Sequence, residues 1–512
     1  MSRASRTAAG RNIRDEIVAK RRARIAAEGH TLGATVPPER EAPLVPFLND
    51  PPLICEIKRR SPSRGAIDPS IDPVALAGRY RDRGVRSLSV LTEEDHFAGS
   101  LDDLAAVKAA WPDLAVLRKD FLLDEEDLRV SYRAGADAVL LIASILGGEE
   151  LARLHALASD LGMAALVELH EEADFAKARA FAPPLVGINA RDLATFRVDL
   201  LTPVVLRERI DWEHRAVFES GVFTHEDALL VVTSGFDAVL VGEAAVRDQD
   251  AITGILAGLR GEIPGSGPGA GAGVAGAGDA AGGGPARDFW RRLVARRRTD
   301  RPLAKICGIT NRADAELAVG LGADVLGFVF ADSPRRADPA LLEELAGLSA
   351  GLSAELPVLK VAVVVTGGDH GALPKDVGGL LERGLVDAVQ FHGEEQPAEC
   401  ARQAFPYYRA LRFASAAEAD AIDGWRCPRV LVDARDASAY GGTGKRVEPE
   451  VVRAAAARRP LWLAGGLDDE NIRGIASAWK PELVDVSSGL ESAPGRKDPE
   501  RLRRFFRELR YE

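Results

Sequence analysis

Short apolar runs of β type alternate with helical patterns along almost the whole chain. Eight such runs in the first half lie at 53–60, 87–94, 115–121, 138–144, 164–170, 185–191, 216–221 and 238–243. Eight more in the second half lie at 303–309, 325–330, 359–365, 388–393, 407–413, 429–434, 461–467 and 483–489. Strict alternation of strands and helices predicts parallel sheets, and eight repeats per half predict closed barrels. We therefore expect an α/β fold with two (β/α)8 TIM barrels in tandem; doubly wound sheets are the alternative with the same alternation.

The pattern breaks between Pro264 and Pro285, where Gly, Ala, Ser and Pro dominate. Such a segment buries too little apolar surface to offset the entropy lost on ordering, which predicts a flexible tether. The expected parts are a first barrel over 1–262, a Gly/Ala-rich linker over 263–288 and a second barrel over 289–512.

Composition narrows the class of protein. The 512 residues carry a net charge of -11, which argues against a broad nucleic-acid surface. The four cysteines have neither metal-ligand spacing nor a dense disulfide pattern, which favours a reducing cytoplasm and no metal. No apolar run approaches the length of a membrane span, and Met1–Arg6 lacks the apolar core of a secretory signal. We expect a cytoplasmic protein without membrane or nucleic-acid partners, and a monomer, since two barrels in one chain have less need of a dimer.

Charged side chains gather where a barrel carries its chemistry, at the carboxyl ends of strands. The first strand contains Glu56 and Lys58 in an otherwise apolar run, and burying both is costly unless they are paired or used. A structural ion pair is the alternative. Later strand ends repeat the pattern with Lys119, Glu168, Asn189, Arg191 and Glu219. Five strands with the same feature predict an active site.

Small residues follow strands 7 and 8 of the first half, as Ser220-Gly221 and Gly242-Glu243. Barrels of this type hold phosphate at these two loops, where backbone N–H groups approach the oxygens near a helix start. A phosphorylated substrate is therefore expected.

The first half resembles indole-3-glycerol-phosphate synthase in a series of motifs spread over residues 10–260. These are Glu56–Ser63, Leu91–Glu93 leading to Phe97–Ser100, Arg118–Phe121, Val167–His170, Ile188–Arg191 and Glu219–Gly221. The resemblance implies decarboxylating ring closure of a carboxyphenylamino-deoxyribulose phosphate to indole-3-glycerol phosphate, without a cofactor. One departure is Arg60, where many relatives carry Lys.

By this resemblance, Lys119 is the general acid, Lys58 holds the substrate carboxylate or shares the acid role, and Glu168 assists dehydration. Glu56, Asn189 and Glu219 orient the lysines and substrate hydroxyls, and Phe97 covers the aromatic ring. The implied phosphate ligands are Ser61, Arg191, Ser220, Gly221, Gly242 and the backbone of Glu243. Clustered lysines and carboxylates shift each other's pKa, which is one way for a lysine to act as an acid near neutral pH.

The second half predicts different chemistry. Its first strand aims Lys305 and Cys307 inward, and strand 6 ends at Asp433. A buried cysteine is more often inert than a base, so thiolate character requires a nearby cation, for which Lys305 and Arg335 are candidates. One group that accepts a proton and one that donates it are the minimum for an isomerase.

This half resembles phosphoribosylanthranilate isomerase over residues 300–510. The motifs are Lys305–Thr310, Gly327–Phe330 with Ser333–Arg335, Val389–Gly393, Gly441–Lys445, Leu463–Leu467 and Val484–Glu491. The resemblance implies an Amadori rearrangement in which Asp433 protonates the furanose oxygen, Cys307 removes a ribose proton and Arg335 holds the anthranilate carboxylate. The implied phosphate ligands are Gly465, Gly466, Ser487, Ser488 and Gly489. We interpret the Gly-Gly-Thr-Gly run at 441–444 as a mobile lid, and we favour a site role for His392 over a core role.

The two implied reactions are consecutive, because the isomerase product is the synthase substrate in tryptophan biosynthesis. We expect independent sites without channelling. Two alternatives stay open: barrels that act on another sugar phosphate, and one barrel that is a non-catalytic scaffold. Nucleic-acid binding has only scattered Arg clusters to support it.

Overall fold

The computed structural model describes residues 13–61, 65–192, 197–247, 250–262, 288–346, 357–366, 373–400, 403, 405–434 and 447–511. The chain divides into two compact units at Ala277–Gly278, in a segment outside these ranges. The bounds at 262 and 288 and the flexibility of the linker therefore stay predictions.

The first barrel contains eight parallel strands in a closed ring. They are β1 (Leu53–Ile57), β2 (Ser87–Leu91), β3 (Ala115–Lys119), β4 (Ala138–Ile142), β5 (Ala164–Leu169), β6 (Leu185–Asn189), β7 (Arg215–Glu219) and β8 (Ala238–Val241). β1 closes the ring by pairing with β8, where Leu53 lies opposite Val239. A short hairpin of Arg60–Ser61 and Gly65–Ala66 follows β1.

The helices of this unit are α1 (Ile13–Glu28), α2 (Pro73–Asp82), α3 (Leu101–Ala110), α4 (Glu125–Arg133), α5 (Gly148–Asp160), α6 (Glu172–Arg179), α7 (Leu201–Arg207), α8 (His225–Thr233), α9 (Glu243–Arg247) and α10 (Asp250–Leu259). Their starts follow from local chemistry. At α2, for example, Asp72 accepts the N–H groups of Val74 and Ala75, and proline occupies the first turn.

Helix α1 precedes the barrel and packs a buried arginine beside the end of β3. Arg21 places its guanidinium 3.2 Å from Asp120 and 2.9 Å from Asp127, and all three side chains are buried. Asp120 directly follows Lys119 in the chain, so α1 supports the loop that carries this lysine.

The second barrel is also closed, with eight parallel strands. They are β9 (Leu303–Cys307), β10 (Val325–Val329), β11 (Leu359–Val364), β12 (Ala388–Phe391), β13 (Tyr407–Phe413), β14 (Val430–Ala434), β15 (Trp462–Leu463) and β16 (Leu483–Val486). β9 pairs with β16 and closes the ring. The predicted strand at 461–467 is much shorter here, because Gly465 and Gly466 adopt φ of +86° and +62° and end it.

The helices of this unit are α11 (Phe289–Val294), α12 (Arg312–Leu321), α13 (Pro339–Glu344), α14 (Lys375–Glu382), α15 (Pro397–Cys400), α16 (Pro449–Ala456), α17 (Ile472–Trp479) and α18 (Pro499–Glu508). Two 3₁₀ segments lie at Ala416–Gly424 and Ser488–Leu490, and a hairpin pairs Glu491–Ala493 with Arg496–Lys497.

The predicted fold is confirmed, since both units are closed (β/α)8 barrels. The interior of the first barrel contains an apolar cluster that includes Ile54, Leu117, Leu140, Leu166 and Leu240. Both barrels also bury polar side chains on their strands, among them Glu168 and Glu219 in the first and Lys305, Gln390 and Asp485 in the second. Within the described residues, none of the helices is both long and apolar enough to cross a membrane.

Candidate active sites

A single pocket in the first barrel collects nearly all residues that the sequence singled out there. Its lining includes Glu56, Lys58, Phe97, Lys119, Glu168, Asn189, Arg191, Glu219, Ser220, Gly221, Gly242 and Glu243. Ser61 lies in the hairpin after β1, outside this lining. Apolar walls come from Leu91 and Phe121, which belonged to quoted motifs without a predicted role, and from Phe223, which the sequence analysis did not name.

Lys119 forms the centre of the charge cluster in this pocket. Its Nζ donates to Oε2 of Glu168 at 3.0 Å and also to Glu219. Burial would lower the pKa of the lysine, but the charges of Glu168 and Glu219 outweigh it and raise that pKa. The cluster therefore keeps Lys119 protonated. The sequence analysis had considered a pKa shifted toward neutrality, and the structure gives a shift in the opposite direction.

The pKa values of the two carboxyls beside Lys119 shift in opposite directions. Burial raises the pKa of Glu219 to about 8. The pKa of Glu168 is lowered despite burial, because Lys119 and His170 both face it. The His170 Nε2 lies 3.1 Å from Glu168. Burial would lower the pKa of His170, but the charge of this carboxylate outweighs it and raises that pKa. His170 belonged to a quoted motif but had no predicted role.

Two glycines make room for these groups. A Cβ on Gly187 in β6 would lie 2.1 Å from Oε1 of Glu219. A Cβ on Gly242 would lie 2.6 Å from Oε1 of Glu56 and 3.0 Å from Nζ of Lys58, which pair with each other. Glu56 and Lys58 thus form the ion pair that the sequence left as an alternative, and they form it in the pocket wall.

The loop after β7 turns sharply at its two small residues. Ser220 and Gly221 have φ of +71° and +85°, a conformation that L side chains rarely adopt. Glu243 begins α9 directly after Gly242. The side chain of Asn189 accepts the backbone N–H of Arg191 at 3.0 Å and orders the loop after β6.

In the second barrel, Cys307 lies at the end of β9 among buried charges. Burial raises the pKa of its thiol, although Lys305 and Lys497 act in the opposite direction. Lys497 donates to the carbonyl of Cys307 at 2.7 Å and to Glu491 at 3.0 Å. Lys497 was not anticipated from the sequence, since it lies in a hairpin beyond the last barrel strand.

The sequence made Arg335 a candidate cation for activating the thiol of Cys307, but in the structure Arg335 pairs with Glu491. Its guanidinium makes a forked contact with Glu491, with Nε at 3.0 Å and Nη2 at 2.8 Å from Oε2. A Cβ on Gly308 would lie 3.0 Å from both Arg335 Cδ and Ser487 Oγ, so these side chains border the residue after Cys307.

Asp433 ends β14 beside His392, with 3.4 Å between Oδ2 and Nε2. Its Oδ1 accepts the N–H of Ala434 at 2.7 Å. Gly465 adjoins it, since a Cβ there would lie 2.9 Å from Oδ1. Gly466, Ser488 and Gly489 follow β15 and β16 as predicted, whereas the Gly-Gly-Thr-Gly segment at 441–444 lies outside the described residues.

Comparison with known proteins now bears on both sites. The family model for indole-3-glycerol phosphate synthase matches residues 14–256. The model for N-(5'-phosphoribosyl)anthranilate (PRA) isomerase matches residues 304–508. An indole-3-glycerol phosphate synthase of Albidiferax ferrireducens is 43% identical over 200 residues, covering 39% of this chain and 75% of that protein. The chain belongs to both families.

Two further similarities were found. A multifunctional tryptophan biosynthesis protein of Phycomyces blakesleeanus is 30% identical over 510 residues, covering 89% of this chain and 62% of that protein. A solved phosphoribosyl anthranilate isomerase of Thermus thermophilus is 32% identical and covers 40% of this chain and 98% of its own, with a TM-score of 0.35. The chain is thus a bifunctional tryptophan-biosynthesis enzyme, with a decarboxylating synthase in the first barrel and an isomerase in the second.

Some synthase and isomerase residues had a signal in the sequence that was not used. Gln390 lies two positions before His392, so the strand period places both on one face. Gly187 lies two positions before Asn189 in the same way. Lys497 and Arg21 had no such signal, because they reach the sites from elements outside the barrel strands.

Proposed function

We propose that the isomerase barrel converts N-(5-phosphoribosyl)anthranilate into 1-(2-carboxyphenylamino)-1-deoxyribulose 5-phosphate. Asp433 donates a proton to the furanose oxygen, the ring C–O bond breaks and an iminium forms. Cys307, as thiolate, then removes the proton from the adjacent ribose carbon, and the electron pair forms an enolamine that tautomerises to the ketone. The position of Asp433 and Cys307 at the ends of β14 and β9 supports this division of roles.

Arg335 is the proposed ligand of the anthranilate carboxylate, which suits a planar guanidinium. Glu491 holds it in a forked contact, with 17% of the Arg335 side chain exposed. The proposed phosphate ligands are Gly465, Gly466 and Ser487–Gly489, at the two loops that barrels use for phosphate. His392 is proposed to contact the substrate beside Asp433.

We further propose that the synthase barrel closes the indole ring of that ketone. Lys119 protonates the carbonyl while the ring carbon bearing the carboxylate attacks it. Carbon dioxide then leaves, which restores the aromatic benzene ring, and loss of the hydroxyl as water, assisted by Glu168, completes the pyrrole ring. The observation that carries this proposal is the ammonium of Lys119 held between Glu168 and Glu219 in one pocket. Glu219, with its pKa near neutrality, is suited to resupply the proton.

The other synthase residues have proposed binding roles. Lys58 with Glu56 holds the substrate carboxylate, Asn189 orients hydroxyls, and Phe97 covers the aromatic ring. The proposed phosphate ligands are Ser61, Arg191, Ser220, Gly221, Gly242 and Glu243, the last through its backbone. The substrates are phosphorylated anthranilate derivatives. We propose that the chain acts as a monomer, which light scattering of the purified chain tests.

The experiment supplies phosphoribosylanthranilate, made in situ, to the purified chain and follows both products by mass spectrometry. Lys119→Met should accumulate the ribulose intermediate, whereas Cys307→Ala should leave the starting material unchanged. Accumulation of the intermediate by the unmodified chain would contradict the synthase assignment. No turnover by that chain would favour another sugar phosphate.

Mixing the two variants tests whether the sites are independent. If the intermediate passes through solvent, the mixture should restore indole-glycerol phosphate formation. A Lys119→Met chain in excess should also trap intermediate released by the unmodified chain. Failure of both effects would contradict independent sites.

A further inference from the structure

Three polar side chains, Lys305, Gln390 and His392, form a line in the isomerase barrel that begins in the strand of Cys307 and ends beside Asp433. Lys305 in β9, next to Cys307 in the same strand, donates to Oε1 of Gln390 at 2.7 Å. The Nε2 of Gln390 lies 2.8 Å from Nδ1 of His392. The His392 Nε2 then lies 3.4 Å from Asp433. Lys305 and Gln390 are almost completely buried, so water does not compete for these contacts.

The orientation of the Gln390 amide follows from its partners. An ammonium can only donate, so the atom of Gln390 that faces Lys305 must be the carbonyl oxygen. Tyr408 donates its hydroxyl to the same oxygen at 2.9 Å. Asp485 accepts a second bond from Lys305 at 2.6 Å. Burial would lower the pKa of Lys305, but the charge of Asp485 outweighs it and raises that pKa, so the ammonium persists.

The orientation of the amide determines the protonation of His392. With Oε1 turned to Lys305, the NH₂ group of Gln390 must face the imidazole, and Nδ1 must accept from it. A histidine with a free lone pair on Nδ1 is neutral and carries its proton on Nε2. Among the described residues this Nε2 is buried and has no hydrogen-bond partner, and it faces Asp433.

We propose that Gln390 is a positioning residue that holds His392 as the neutral Nε2–H tautomer. Asp433 then meets a neutral N–H donor and not an imidazolium. An imidazolium at 3.4 Å would stabilise the carboxylate form of Asp433 and leave it without a proton to donate. The inference rests on the proposed function, because it takes Asp433 as the acid of the isomerase.

The charged groups around His392 are consistent with this assignment. Lys305 and Asp485 pair with each other behind Gln390. Arg409 pairs with Glu395 at 2.8 Å, and these two residues bond the backbone of Gly393, directly after His392. Gln390 contacts Nδ1 of the imidazole and Asp433 lies 3.4 Å from Nε2, so Gln390 sets the tautomer and Asp433 faces the resulting N–H group.

The test is ¹⁵N NMR of the full chain labelled at histidine. The chain has 8 histidines, and His392→Asn identifies the resonances of His392 by their loss. At pH 7 we expect a protonated Nε2 and an unprotonated Nδ1. In Gln390→Glu, the new carboxylate should accept from Nδ1, so both nitrogens become protonated and isomerase kcat falls about 100-fold, with a smaller change in KM.

The matched control is Gln396→Glu, which makes the same change at an exposed position of the following loop. It should leave the histidine spectrum and the isomerase rate unchanged. Thermal unfolding of each variant reports whether the second barrel has folded. If Gln390→Glu fails to fold, the spectrum of the unmodified chain still decides the tautomer.

A proton on Nδ1 of the unmodified chain, alone or together with Nε2, would overturn the proposal. An unchanged spectrum of a folded Gln390→Glu chain would do the same. The acid role is tested separately by Asp433→Asn. If that variant stays active while His392 keeps the Nε2–H tautomer, the proposed role of Asp433 fails and the tautomer assignment stands.

Discussion

Replacing Gly187 by alanine should disable the synthase with a single methyl group. The added Cβ would lie 2.1 Å from Oε1 of Glu219 and 3.3 Å from Cδ1 of Leu166, whereas real Cβ contacts essentially never fall below 3.0 Å. Glu219 is 1% exposed and is bonded to Lys119, so relieving the clash displaces its carboxyl from the position that meets the lysine. The carboxyl must therefore move by about 1 Å, comparable to the misplacement that costs about 100-fold in rate.

The expected result is a synthase kcat lowered about 100-fold, equivalent to about 2.7 kcal/mol of activation free energy. KM should change less, because the proposed phosphate ligands lie in other loops. The assay follows indole-glycerol phosphate formation from the purified ribulose intermediate. Isomerase activity, measured on the same preparation, should be unaffected, since it resides in the other barrel.

Gly254→Ala is the control, because a Cβ in this helical position would meet nothing closer than 4.0 Å. It should retain both activities. Thermal unfolding separates displacement of Glu219 from loss of the fold. A folded Gly187→Ala chain whose synthase kcat stays within about threefold of the unmodified chain would refute the reasoning, since a 1 Å shift predicts far more.

Three further perturbations probe the buried charges. Arg21→Met should destabilise the first barrel by about 3 kcal/mol, because it leaves Asp120 and Asp127 buried with one cation fewer; an unchanged urea midpoint for synthase activity would contradict this. Burial raises the pKa of Glu219 to about 8, so the folded state keeps a proton that the unfolded chain releases near pH 4.3. Stability of that barrel should therefore fall as pH rises from about 5 to 8, by up to about 1.4 kcal/mol per unit, and Glu219→Gln should flatten the slope in thermal melts. Burial raises the pKa of Cys307, so isomerase kcat/KM should still rise above the ordinary thiol pKa of about 8.5, and a plateau well below that pH would argue against a thiol base.

The fold was largely predictable because each strand carries its own signal. Buried parallel strands are continuous apolar runs, and sixteen of them alternate with helical patterns. The lengths of the strands were less predictable. The strand at Trp462–Leu463 ends where Gly465 turns into a left-handed conformation, and an apolar run alone does not reveal that change.

The candidate sites were predictable to the level of residue type and strand end. The barrel rule brings Lys119, Glu168 and Glu219 together without knowledge of any distance. The directions of their pKa shifts were not predictable. Burial and nearby carboxylates shift the pKa of a lysine in opposite directions, so the result depends on which carboxylates lie within hydrogen-bond distance.

The sequence by itself determined the two-barrel architecture, the two families and the polar residues at the strand ends, because period and motif are local properties of a chain. Only the tertiary structure decided how those residues are supported. Arg21 lies in a helix that precedes the first barrel and bonds Asp120. In the second barrel, Lys497 lies in a hairpin after the last strand and bonds Cys307, and Gln390 bonds Lys305 inside the barrel. Such contacts join positions far apart in the chain, and their geometry, which sets protonation and charge, exists only once the barrels close.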